Sequence, residues 1–220
     1  MPAPAGAREA LTGSADTYEV FAIKYATRDA QRSSHFIGGD PHDGPMPMDY
    51  FVWLVRNANR TVVVDTGFTA EMAKKRKRTF LRTPTEGLAL LGVDAATVKD
   101  VVITHMHYDH VGTFFDFPAA HFHLQDLEMN FATGRYMRHG RFNHGYEVED
   151  VVGMVRLVFG DRVRFHAGSA ELAPGIDPEG AAMIAVAALH TLAIRARTGA
   201  GEAAMTKVGD AAIALICGPA

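Results

Sequence analysis

Apolar residues fall in short runs along the chain, separated by glycine- and proline-bearing turns, and most runs predict a defined element. Residues 17–25 (TYEVFAIKY) and 50–55 (YFVWLV) are rich in β-branched and aromatic residues and predict strands. Gly38-Gly39-Asp40-Pro41 and Asp43-Gly44-Pro45 between them are turn signals. A short turn over 57–60 leads into 61–65 (TVVVD), so 50–55 and 61–65 predict a β-hairpin closed by Asp65-Thr66-Gly67. Helical signal follows at 69–76 and at 85–91, the second capped by Thr85 because Thr83-Pro84 would break an earlier start. Asp94 predicts a cap for a short turn over 95–98. Residues 100–104 (DVVIT) form a short buried-type strand, and the alternating 119–124 (AAHFHL) predicts another. Helices are expected over 125–133, closed by Gly134, and over 147–156, with a strand at 162–166 before the turn Ala173-Pro174-Gly175. There is no repeat at a short period and no glycine fingerprint of a dinucleotide fold. The block 177–220 is Ala-rich and poor in aromatics, and no element is assigned to it.

Length and composition narrow the class. A chain of 220 residues that is 48% hydrophobic suits one globular domain, taken as 17–220, behind a flexible Ala/Gly/Pro-rich segment 1–16. A net charge of -3 gives no electrostatic basis for binding nucleic acid. The one basic run, Lys74 to Arg78, follows a helical stretch and is read as a solvated helix face. Cys217 is the only cysteine, which excludes a disulfide framework and a thiolate zinc site. No basic-then-apolar leader and no membrane-length apolar run is present, so the expected location is cytoplasmic, with no membrane partner.

The chemistry concentrates in His105-Met106-His107-Tyr108-Asp109-His110, at the exit of strand 100–104. Imidazole nitrogen and carboxylate oxygen suit Zn²⁺, and also Fe²⁺ or Mn²⁺. In an extended segment residues i and i+2 face one side, so His105 and His107 can grip one ion. A tight turn afterwards would let Asp109 and His110 face a second ion. A histidine-rich surface loop is the bland alternative, and so many metal-competent groups directly after an apolar strand argue against it.

The run THMHYDH resembles the His-x-His-x-Asp-His signature of the metallo-β-lactamase superfamily, and VVVDTGF at 62–68 resembles the Asp-Thr-Gly strand end that precedes it. The resemblance implies an α+β fold, an αββα sandwich, and two divalent metal ions, zinc first, with iron or manganese as alternatives. His105 and His107 would hold one ion and Asp109 and His110 the other, while Asp65 supports the site through a ligand. Within the superfamily, Met46–Val55, VVVDTGF and 121–134 resemble N-acyl-homoserine lactonase-like metallohydrolases. That implies opening of a cyclic ester by a metal-activated hydroxide, with Asp109 passing a proton to the leaving alkoxide.

Past Pro174-Gly175 the chain departs from the family pattern. His190, in Leu189-His190-Thr191, is the candidate for the later histidine, against a reading as an ordinary histidine. Asp210, in Gly209-Asp210-Ala211, is the candidate bridging aspartate, against a turn aspartate. No histidine follows His190 to serve as the family's final ligand. If the second half of the sandwich is incomplete, the expectation is an exposed sheet edge and apolar surface, with poor solubility or homo-oligomerisation as the result. Three functions follow: a lactonase, a hydrolase of another ester, thioester, phosphodiester or β-lactam, or a metal-binding homologue impaired in catalysis. Iron-binding redox chemistry also fits the ligand types.

Overall fold

The computed structural model describes residues 18–36 and 38–168. Contacts divide the chain into two units, and the larger, Val20–Val55 with Thr61–Pro178, holds nearly all the described elements. Segment 1–16 and block 177–220 lie outside the described residues, and with them His190 and Asp210.

The strands are β1 (Glu19–Arg28), β2 (Met48–Arg56), β3 (Thr61–Val64), β4 (Thr79–Phe80), β5 (Asp100–Val102), β6 (His121–Gln125) and β7 (Val163–His166). They form one seven-stranded sheet in the order β4-β1-β2-β3-β5-β6-β7. Strand β4 pairs antiparallel with β1, an element the sequence patterns did not predict. From β3 to β7 the ladder is parallel, with Val62 opposite Asp100, Val102 opposite His123, and Gln125 opposite His166. Parallel neighbours need crossovers, and helices supply them. Helices α1 (Ala70–Lys75) and α2 (Pro84–Ala89) lie between β3 and β5, and α3 (Tyr108–Val111) lies between β5 and β6. Helices α4 (Asp126–Ala132), α5 (Gly140–Asn143) and α6 (Val148–Phe159) lie between β6 and β7.

Burial follows the two-residue period of a strand with one covered face. Tyr50, Val52 and Leu54 of β2 are buried, whereas Phe51 and Trp53 each keep 37% of their surface exposed. Val63, Val101, Phe122 and Leu124 from the parallel ladder join Leu88 of α2 and Met154 of α6 in one core. The mixed sheet with its crossover helices agrees with the αββα class.

Two local expectations need correction. Thr83-Pro84 does not break α2 but starts it: Thr83 accepts from the Glu86 N–H, Glu86 accepts in return from the Thr83 N–H, and Pro84 takes the first helical turn. The basic run is only partly a solvated face. Lys74, Lys75 and Lys77 are exposed, but Arg76 and Arg78 are half-buried. The Arg76 guanidinium lies 3.8 Å from the Tyr108 ring centre and 2.7 Å from Glu147. Across the ladder, Asp100 lies 2.9 Å from Nε2 of His123 and His166 lies 3.0 Å from its Nδ1.

Asp150, in the first turn of α6, generates a stability prediction. Its Oδ2 is buried and finds no hydrogen-bond partner among the described residues. Burial, reinforced by the neighbouring Glu147 charge, raises its pKa from 3.8 to about 6. A raised carboxyl pKa contributes stability that is present below pH 3.8 and is lost as pH rises through about 6. Asp150→Asn removes the titration. Urea unfolding at pH 7.5 should show the variant more stable than the parent by on the order of 1 kcal/mol, after discounting for partial exposure. That advantage should vanish by pH 4; a constant difference across this range would contradict the assignment.

Candidate metal centre

Strands β3 and β5 run parallel and side by side, so the segments leaving their carboxyl ends emerge together, where open parallel sheets gather ligands. Asp65 leaves β3 and the Ile103–His110 segment leaves β5, with the Asp65 N–H donating to the Val102 carbonyl at 2.8 Å. His107 is the N-cap of α3 in an extended conformation, and Asp109 and His110 ride on that short helix. The structure thus brings His105, His107, Asp109 and His110 to one sheet end. The His105 ring centre is 4.5 Å from that of His107 and 3.9 Å from that of His110.

Asp65 is buried, with φ at +62°, a backbone region that side chains other than glycine rarely adopt. The Thr104 N–H donates to its Oδ1 at 2.8 Å, and the Thr104 hydroxyl lies 2.9 Å from its Oδ2. That Oδ2 is also 2.7 Å from Nδ1 of His110. A proton on Nδ1 leaves Nε2 of His110 as the free lone pair, and this nitrogen lies 3.7 Å from the Asp109 carboxylate. Backbone contacts brace the same joint. The Thr66 N–H donates to the His110 carbonyl at 2.6 Å, and the buried Tyr25 hydroxyl donates to the Asp109 carbonyl at 2.8 Å. Gly112 sits where a Cβ would fall 2.5 Å from the Tyr108 carbonyl oxygen and 3.0 Å from that of Gly67, so α3 can approach the strand end only with glycine there.

The imidazoles differ electrostatically. Burial, then the neighbouring His110 and His107, lowers the His105 pKa. Burial also lowers that of His107, against the pull of Asp109. For His110 burial acts downward too, but the hydrogen bond and charge of Asp65, with Asp109 and Glu128, raise it overall. His105 and His107 are therefore neutral near neutral pH, the form in which imidazole binds a cation.

Several contacting residues were not found from the sequence. Thr104 follows β5 and bonds both Asp65 and His105. Glu128 of α4 accepts from the Met106 N–H at 2.7 Å, and the Tyr146 ring stands at 88° to His107. Tyr25, 84 residues from Asp109, left no local signal at all. By donor chemistry the cluster fits a borderline divalent cation: three imidazoles, two of them held neutral, and a carboxylate. Among the described residues, however, no set of three or more His, Cys, Asp or Glu side chains converges into a closed ligand group.

Comparison with known proteins follows the same lines. Relatives include a "Probable metallo-hydrolase" from Mycobacterium tuberculosis and another from Mycobacterium bovis, each 32% identical over 114 residues, covering 43% of this chain. The match covers 36% of those proteins, so the chain spans only about a third of the length of the curated relatives it matches. Among solved structures, a quorum-quenching N-acyl homoserine lactone lactonase aligns with TM-score 0.53 and 15% identity, over 73% of this chain and 61% of that one. An N-acyl homoserine lactone hydrolase with N-hexanoyl-L-homoserine at its catalytic metal center aligns with TM-score 0.52 and 15% identity, over 73% and 63%. A probable metal-dependent hydrolase from Staphylococcus aureus gives 0.54 and 12%, over 73% and 62%. At these identities the structural likeness speaks for the fold. The metallo-beta-lactamase superfamily model matches residues 46–169, over half of the chain, and on that match and this fold the chain belongs to the metallo-beta-lactamase superfamily.

Proposed function

We propose that this superfamily hydrolase, a single domain over 17–220, opens a lactone of the N-acyl-homoserine type with two divalent metal ions, zinc in the first instance. One observation carries the reading: three imidazoles pack within ring contact at the paired ends of β3 and β5, with a buried carboxylate fixing one of them. His105 and His107 would hold the first ion and Asp109 and His110 the second, with His190 and Asp210 completing the set. When bound, the ions supply activated water at neutral pH and positive charge for the developing oxyanion. The chain's own residues supply placement. Asp65 holds the His110 Nδ1 proton, so that Nε2 faces outward. Asp109, beside that nitrogen, carries a proton from the attacking water to the alkoxide released by ring opening. The lactone substrate is suggested by the lactonases among the fold neighbours and by the resemblance at Met46–Val55 and 121–134.

A second reading has its own observation: the described residues hold no closed three-ligand group, which favours a domain that binds metal without turnover. Metal content of the purified chain, paired with acid release from N-acyl-homoserine lactones, separates the two. Two ions per chain with lactone opening is the expected result, and His107→Ala should lose the first ion. Two ions with turnover only on a thioester or phosphodiester would move the substrate, whereas one ion or none without ester turnover would sink the hydrolase reading for this chain.

Asp65 allows a sharper test. Asparagine keeps the size and tolerates positive φ, but one of its two terminal atoms becomes a donor and cannot accept from His110. Asp65→Asn should remain folded and bind zinc about 10- to 100-fold more weakly in competition with a chelator. Unchanged affinity would show that the carboxylate does not orient a ligand.

A further inference from the structure

We propose that Glu128 and Tyr146 are positioning residues for His107, a clamp that sets the imidazole before any ion arrives; this rests on the metal reading above. One carboxylate oxygen of Glu128, Oε1, receives two donors, the Met106 N–H at 2.7 Å and the Tyr146 hydroxyl at 3.0 Å. Met106 lies between His105 and His107, and its side chain is fully buried. A single oxygen therefore fixes the backbone that presents two imidazoles and the phenol that abuts one of them. The Tyr146 ring meets the His107 ring at 88° with centres 4.7 Å apart, an edge-to-face contact that restricts rotation of the imidazole. Gly145 forms another wall. A Cβ there would lie 2.7 Å from Cδ2 and from Nε2 of His107, and the Gly145 carbonyl accepts the Tyr108 N–H at 2.8 Å. Backbone therefore comes against the ring where any side chain would displace it.

Packing alone would make these residues structural. Positioning makes a further demand, that the ring orientation and the ion affinity move together. The test uses the full chain, zinc titrated against a chelator, and the imidazole proton signals of His107 in the metal-free protein. Tyr146→Leu and Glu128→Ala should weaken the first zinc ion by about 10-fold or more. In Tyr146→Leu the His107 ring protons should also lose the shift imposed by the tyrosine ring. Glu128→Gln keeps an oxygen that accepts both donors and should stay within about twofold of the parent. Tyr146→Phe keeps the ring, loses the hydroxyl, and should fall between; it serves if the leucine variant fails to fold. Parental affinity in Tyr146→Leu and Glu128→Ala, while His107→Ala loses the ion, would overturn the clamp. An equal loss in Glu128→Gln and Glu128→Ala would overturn it too, because charge rather than hydrogen bonding would then be responsible. If the parent chain binds no zinc, the metal reading fails by itself, and the His107 signals still decide whether the clamp orients the ring.

Discussion

A carboxylate placed in the interior at the end of a strand has to be satisfied on both oxygens, because an unpaired buried charge costs several kcal/mol. Asp65 is such a group, only 4% exposed, and its partners are the Thr104 N–H, the Thr104 hydroxyl and Nδ1 of His110. Satisfying it draws the exit of β5 and the far end of α3 to one point. The left-handed backbone at Asp65 costs about 1–3 kcal/mol in isolation and persists because these bonds over-determine it. Other contacts follow from the same joint. Thr66 caps the His110 carbonyl, Thr113 donates back to the Thr66 carbonyl at 2.6 Å, and Gly112 leaves room for the two segments to touch.

The joint also divides the imidazoles electrostatically. His110 faces a carboxylate and holds its proton more firmly, whereas burial pushes His105 and His107 towards the neutral form. A carboxylate behind a histidine fixes its tautomer and makes the outward nitrogen a better donor of electrons. His107 has no such carboxylate within bonding distance among the contacts described. Its orientation comes from rings and backbone instead, through Tyr146 and Gly145. Two neighbouring imidazoles are thus oriented by different physics, one by a charge and one by packing.

How much of this was legible follows from the range of each interaction. The strands around 50–55, 61–65 and 100–104 and the cluster at 105–110 carry their signal within a few residues, and they lie where the patterns put them. Thr83-Pro84 misleads a sequence pattern because proline breaks a helix interior but suits a first turn, and only the Glu86 reciprocation tells the two apart. His123 shows the limit of local pattern: its partner Asp100 lies 23 residues away and is brought beside it by parallel pairing of β5 with β6. Tyr25, Glu128 and Tyr146 belong to the same class: each bonds across tens of residues, where no local pattern reaches. Asp65 was legible through the motif it belongs to, whereas its positive φ was not.

The basic run finds its place through the loop beside His107. Glu147 follows Gly145 and Tyr146 in the chain, and its carboxylate meets Arg76 at 2.7 Å and Lys75 at 2.6 Å. Arg76 also donates to the His144 carbonyl at 2.9 Å and lies over the Tyr108 ring, between His107 and Asp109 in sequence. The exposed Lys75 pair adds little by itself. The half-buried Arg76 contributes more, because the ion pair, the backbone bond and the cation–π contact share one ordered guanidinium. Helix α1, the start of α6 and the first turn of α3 are thereby tied at one residue. The loop that walls His107 is held from outside by Arg76 at the end of α1 and from inside by Glu128 of α4, so the ring's orientation depends on neighbouring helices as well as on its own strand exit.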